Sequence, residues 1–186
     1  MSDRIGEVIA TRIVTDGDRP VLIEVGMPDH TANGRGCSGF RIEGLGEYTV
    51  DGVDEMAALY NALFEVGEVL ERANDNGHDF PVPGPSAMDF PATPSRSRIP
   101  VPTAEPAVCQ VIALRILITD GEPVAVEIDR PTRARERPYY VCSFRVDGRR
   151  EAVASGFDEI EALFTALRMI GAWLGLPQDW PLTRAS

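Results

Sequence analysis

The pattern of residues 52–70 is written a second time at residues 156–174, and no other feature limits the possible folds as tightly. Asp54, Glu55, Ala58, Leu59, Ala62, Leu63, Gly67 and Leu70 recur as Asp158, Glu159, Ala162, Leu163, Ala166, Leu167, Gly171 and Leu174. An internal duplication predicts two similar structural units. Met56, Leu59, Leu63, Val66 and Leu70 fall at spacings of three and four, as do Ile160, Leu163, Leu167, Ile170 and Leu174. Each copy therefore predicts an amphipathic helix with one apolar seam. Asp54 with Glu55, and Asp158 with Glu159, open these helices, where carboxylates meet unpaired amides and the positive end of the dipole. Neighbours on a helix point about 100° apart, which argues against reading each pair as an acid/base or metal dyad. Ala58, Ala62, Ala162 and Ala166 form a strip of small residues that predicts close seating of each helix on its own sheet. Glycine inside a helix costs about 1 kcal/mol relative to alanine. Gly67 and Gly171 accordingly predict a close approach by backbone or a bulky side chain.

Ahead of each helix the pattern changes to that of strands. Val8, Ile9, Ile13 and Val14 lead into Asp16-Gly17-Asp18, and residues 20–25 return, a hairpin with Asp-Gly chemistry at its tip. Residues 111–118, Thr119-Asp120-Gly121 and residues 123–128 repeat it, and Pro28 and Pro131 stop the two ladders. Polar loops are expected at 29–36 and 132–138, and third strands at 37–44 and 141–148. In the first of these Phe40 and Ile42 alternate with Arg41 and Glu43. A short fourth strand, 48–50 or 151–154, precedes each helix. The expected fold class is α+β: two tandem repeats, each an antiparallel three- or four-stranded sheet covered by one long α-helix (βββ(β)α), related by pseudo-two-fold symmetry.

The first unit spans residues 1–80 and the second 107–186. Between them, residues 81–106 carry eight of the 15 prolines, from Pro81 to Pro106, and predict an extended, semi-rigid linker with Met88, Phe90 and Ile99 as the large apolar side chains of its middle. The aromatic-proline pairs Phe80-Pro81 and Trp180-Pro181 follow both helices, so the two aromatics are expected to close the bottom of each unit. Units this short have thin cores, which favours packing of one against the other.

The Asp-Gly hairpin, the string Phe144-Arg145-Val146-Asp147-Gly148 and the Gly-x-Asp-Glu-x-x-Ala-Leu helix start at Gly156 together resemble a small bacterial domain family of unknown function, usually seen as a single copy. Phe40-Arg41-Ile42-Glu43-Gly44 and the helix start at Gly52 supply the second member of a tandem pair, with Gly39 in place of a larger residue. The resemblance implies a fold and carries over no catalytic or binding residues.

Charge divides the two units. Residues 1–80 hold 16 acids and 6 arginines, a net of −10, whereas residues 107–186 hold 11 acids and 10 arginines, a net of −1. A field of that sign repels nucleic acid and anionic membrane and speeds association with a basic partner. There is no lysine. Cys37, Cys109 and Cys142 have no paired short spacing, so neither a disulfide framework nor a structural zinc site is expected, and burial as small apolar residues is. The N-terminal residues lack a signal-peptide core and no apolar run approaches the ~20 residues needed to span a bilayer. A cytoplasmic location is the expectation.

Chemistry-bearing motifs are sparse. No Walker loop, dinucleotide fingerprint, nucleophile elbow or His-Glu-x-x-His is written, and no cofactor or metal is expected. Asp75, His78 and Asp79 read as helix-end and turn formers in preference to metal ligands. The most unusual composition is Arg130 to Tyr140, where Arg133, Arg135 and Arg137 precede Tyr139 and Tyr140, residue types enriched at interface hot spots. With Glu65, Glu68, Glu71 and Asp75 on the first helix, these form the expected partner-binding set. The expected function is a non-catalytic protein-binding module with a basic protein partner, most concretely an immunity or antitoxin-like protein occluding a basic effector. The alternatives are a self-assembling protein, such as a homodimer joined through the arginine loop, and a small hydrolase using Asp29 and His30.

Overall fold

In a computed structural model, residues 5–80, 110–119, 121–135, 137–147 and 150–176 are described. The linker expected at 81–106, the lid residue Trp180 and Cys109 lie outside them. In the first unit β1 (Val8–Asp16) and β2 (Arg19–Gly26) form the expected hairpin, turning at Gly17 with φ 59°. The two-residue strand β3 (Asp29–His30) follows, then β4 (Gly36–Ile42), β5 (Gly46–Gly52) and helix α1 (Glu55–Asp75). The second unit repeats this order as β6 (Val111–Thr119), β7 (Glu122–Asp129), β8 (Thr132–Arg133), β9 (Tyr140–Val146), β10 (Arg150–Gly156) and α2 (Glu159–Leu174). Among the described residues the architecture is α+β, with two antiparallel five-stranded sheets and two helices.

Three elements depart from the sequence reading. The segments 29–36 and 132–138 are not wholly loop, because β3 and β8 resume pairing after the prolines: Asp29↔Cys37 and His30↔Gly36 in one sheet, Thr132↔Val141 and Arg133↔Tyr140 in the other. Two paired residues leave too little periodicity to be seen in a sequence. The fourth strands are also longer than expected, since β5 and β10 pair along the full length of β4 and β9. Finally, a Cβ placed on Gly67 would meet nothing within 4 Å, so no close approach explains that glycine.

Crowding occurs instead where each helix begins. A Cβ on Gly52 would lie 2.2 Å from the Ala58 amide nitrogen, and one on Gly156 would lie 2.4 Å from that of Ala162. Backbone therefore seats directly on backbone, and Ala58, Ala62, Ala162 and Ala166 are fully buried beside these contacts. The seam residues Met56, Leu59 and Leu63 close over Ile23, Val25, Phe40 and Ile42, and Ile160, Leu163 and Leu167 close over Val126, Ile128, Phe144 and Val146. Each helix lies on its own sheet, α1 on β4 and β5 and α2 on β9 and β10. Each also touches the first strand of the other unit, α1 on β6 and α2 on β1. The buried apolar residues of both units accordingly form one continuous core.

Candidate functional site

The two units are joined by a reciprocal arrangement at the helix starts. Asp54 is the N-cap of α1, accepting from the Ala57 amide at 2.9 Å, and Asp158 is the N-cap of α2, accepting from the Glu161 amide at 2.8 Å. Each cap carboxylate is also forked by an arginine from the other unit. Arg12 on β1 donates through Nε and Nη2 to Asp158 at 2.7 and 3.0 Å; Arg115 on β6 donates through Nε and Nη2 to Asp54 at 2.5 and 2.7 Å. Burial differs: the side chains of Arg115 and Asp54 are 4% and 26% exposed, those of Arg12 and Asp158 26% and 28%. Glu159 adds bonds to the Thr11 amide and hydroxyl, Arg130 reaches Glu7 and the Val8 carbonyl, and Tyr60 stacks on Phe164 at 5.7 Å. Sequence spacing identified Asp54 and Asp158 as helix starters. The arginines that grip them occupy matched positions in β1 and β6, Ile13 following Arg12 and Ile116 following Arg115, and a charged residue at that matched position was the signal available.

The expected acidic residues all lie on α1. Phe64, Glu68, Glu71 and Asp75 follow one another at steps of four, three and four, which places them in one row on the helix. Phe64, Glu71 and Asp75 are exposed and Glu68 is half-buried. Glu65 sits beside this row and is engaged by Arg72 Nη2 at 2.7 Å.

The expected arginines lie on the β8–β9 hairpin. Arg133, Ala134, Arg135, Arg137 and Pro138 line an open concavity of about 520 Å³. Tyr139 and Tyr140 are half-buried at the root of the hairpin, where the Ala134 amide donates to the Tyr139 carbonyl at 3.0 Å. Arg130, at the entry to the same segment, is the residue that docks on the acidic unit, through Glu7.

Comparison with known proteins adds one finding. Residues 113–180 match the family model of a domain of unknown function, DUF6968. The match begins inside β6 and runs past α2, so DUF6968 coincides with one repeated unit. No curated protein and no solved structure matches.

The remaining candidates are placed as follows. Asp29 accepts from the His30 backbone amide at 2.7 Å, while the His30 ring presents Nε2 to Glu55 at 3.1 Å, so the Asp29 carboxylate holds the chain and not the imidazole. His78 Nδ1 lies 2.8 Å from Asp16 Oδ2, and Asp16 Oδ1 accepts from the Asp79 amide at 2.8 Å. These contacts, the Asp79 amide first, hold the Asp16 carboxyl below its usual range. Phe80 is buried as a lid, pinned by two bonds with Asn74. Cys142 is buried and burial pushes its thiol pKa up; Cys37 is half-buried. Among the described residues no group of three or more His, Cys, Asp or Glu could hold a metal ion, and no helix is long and apolar enough to cross a membrane. Sequence reasoning missed an exposed apolar row on the outer face of edge strand β6, formed by Leu114, Ile116 and Ile118. Their alternation with Ala113, Arg115 and Leu117 was visible, but which face met solvent was not.

Proposed function

We propose that the protein is a non-catalytic protein-binding module, built from two units related by a pseudo-two-fold axis, that captures a basic protein partner on the outer face of α1. The observation that carries this reading is the row Phe64, Glu68, Glu71 and Asp75. An exposed aromatic in line with three carboxylates offers both an anchor and a steering charge. At the positions corresponding to Phe64, Glu68 and Glu71 the second unit has Arg168, Ala172 and, just past α2, Gly175, so the apolar seams match while these outward positions differ. The reciprocal grip of Arg12 on Asp158 and Arg115 on Asp54 supports the symmetry. In its most concrete form the module acts as an immunity or antitoxin-like protein that occludes a basic effector. The test is capture of a partner by the full chain from its native cell, followed by affinity measurement with the purified partner. Glu68→Arg with Glu71→Arg is expected to weaken binding by about tenfold or more, with a steep loss as salt is raised. Binding that is indifferent to both the substitutions and salt removes the reading.

A second reading, a self-assembling protein, is favoured by the exposed row Leu114, Ile116 and Ile118 on β6, where the first unit has Thr11, Ile13 and Thr15. Sedimentation over a hundredfold range of concentration decides it, and a constant monomer removes it.

A further inference from the structure

Six arginines of this chain are matched to a carboxylate. Arg12, Arg41, Arg72, Arg115, Arg130 and Arg145 each donate to Asp or Glu. Arg133 and Arg137, like Arg168, are exposed and make no hydrogen bond or ion pair among the described residues, although the sequence has 29 acids for 18 basic residues. Arg133 and Arg137 line the concavity of about 520 Å³ described above, together with Arg135. Arg133 is held in the sheet opposite Tyr140, and the Ala134 amide closes on the Tyr139 carbonyl beside it. The counterpart in the first unit is built otherwise. There the Thr31 amide and hydroxyl donate to the Arg35 carbonyl, and Arg35 is the sole arginine of the segment, its Nε directed to the Gly52 carbonyl at 3.5 Å. The arginine cluster therefore belongs to the second unit alone.

We propose that this hairpin concavity binds a small ligand through a di- or triphosphate group. A guanidinium is a planar fork of two parallel donors, and one fork satisfies the two oxygens of a carboxylate. A phosphoryl group has three acceptor oxygens and carries more charge, so two or more forks around one concavity match a diphosphate better than a carboxylate. A long polyanion is disfavoured because the first unit, with its net of −10, repels it.

The site is separate from the α1 face, so its failure leaves the binding-module reading untouched. Calorimetric titration of the full chain at low salt with inorganic pyrophosphate, ADP, a hexaglutamate peptide and a short single-stranded oligonucleotide tests it. Saturable binding of pyrophosphate and ADP is expected, weakened about tenfold or more by Arg133→Gln with Arg137→Gln. Tighter binding of ADP than of pyrophosphate identifies a nucleotide as the source of the phosphate; equal affinity identifies the phosphate group alone. Both side chains are exposed, and an unchanged Tm of the variant verifies that folding is intact. The proposal is overturned by the absence of saturable pyrophosphate binding, by undiminished binding in the folded variant, or by hexaglutamate or the oligonucleotide binding more tightly than pyrophosphate and ADP.

Discussion

The Arg115 guanidinium, almost wholly buried, clasps the carboxylate of Asp54, the residue that caps α1 in the other unit. One side chain thus links a strand of the second unit to the start of a helix in the first, and Arg12 with Asp158 does the converse. Each helix is capped by a carboxylate of its own unit, and that carboxylate is held by an arginine of the other.

The two grips are expected to differ in energy because they differ in burial. Asp54→Ala removes the cap, worth about 1 kcal/mol, and also leaves a buried guanidinium without its carboxylate, for a combined loss of about 3 kcal/mol. Asp158→Ala removes a similar cap, but Arg12 is a quarter exposed and can be hydrated, so the loss is expected to be about 1–2 kcal/mol. Urea unfolding of the two variants measures both. Equal losses would show that burial of Arg115 does not set the balance.

Gly67→Ala is expected to stabilise the chain by up to about 1 kcal/mol, since the new methyl meets nothing and the helix gains the better former. Gly52→Ala and Gly156→Ala should do the opposite, because each methyl would collide with a helix backbone that the sheet holds in place. Thermal unfolding of the three variants gives the signs directly.

These glycines mark how far the fold could be read from residue pattern. The helices were legible because Met56 to Leu70 and Ile160 to Leu174 repeat an apolar seam, and the hairpins because Asp-Gly turns sit between apolar runs. The function of Gly67 was misjudged because identity in two copies signals a shared origin as readily as a shared contact. Gly52 and Gly156 were overlooked as crowded positions, since the contact that requires them comes from Ala58 and Ala162 only after the helix has folded back on its strand. The arginines of the hairpin stood out by composition, whereas Arg12 and Arg115 did not, their partners lying more than 60 residues away.

Acid should weaken the closure of the first unit through Asp16. Its carboxyl titrates below the ordinary value of 3.8 because it accepts from the Asp79 amide and meets His78. A carboxyl with a lowered folded pKa contributes stability above its unfolded pKa and loses it as pH falls through the folded value. The stability difference between wild type and Asp16→Asn is therefore expected to be full near pH 5 and to shrink as pH drops below 3.8. Chemical unfolding across that range measures it, and a difference independent of pH would exclude the carboxylate as its source.

Cys142 and Ser38 hold corresponding places in the two sheets, both buried. The Cys142 thiol donates to the Asp129 carbonyl at 3.3 Å, and the Ser38 hydroxyl donates to the Gly26 carbonyl at 3.3 Å. The second unit therefore already provides, at Cys142, an acceptor suited to a hydroxyl. Cys142→Ser exchanges a weak donor for a stronger one at the same acceptor, and the bond offsets the desolvation of the hydroxyl, so a cost below about 1 kcal/mol is expected. The same burial that raises the thiol pKa keeps the thiolate scarce and out of reach. In the native chain at pH 8, iodoacetamide followed by peptide mass spectrometry should label Cys37 well before Cys142, and the difference should vanish in urea. Rapid native labelling of Cys142 would mean that β9 opens on the timescale of the reaction.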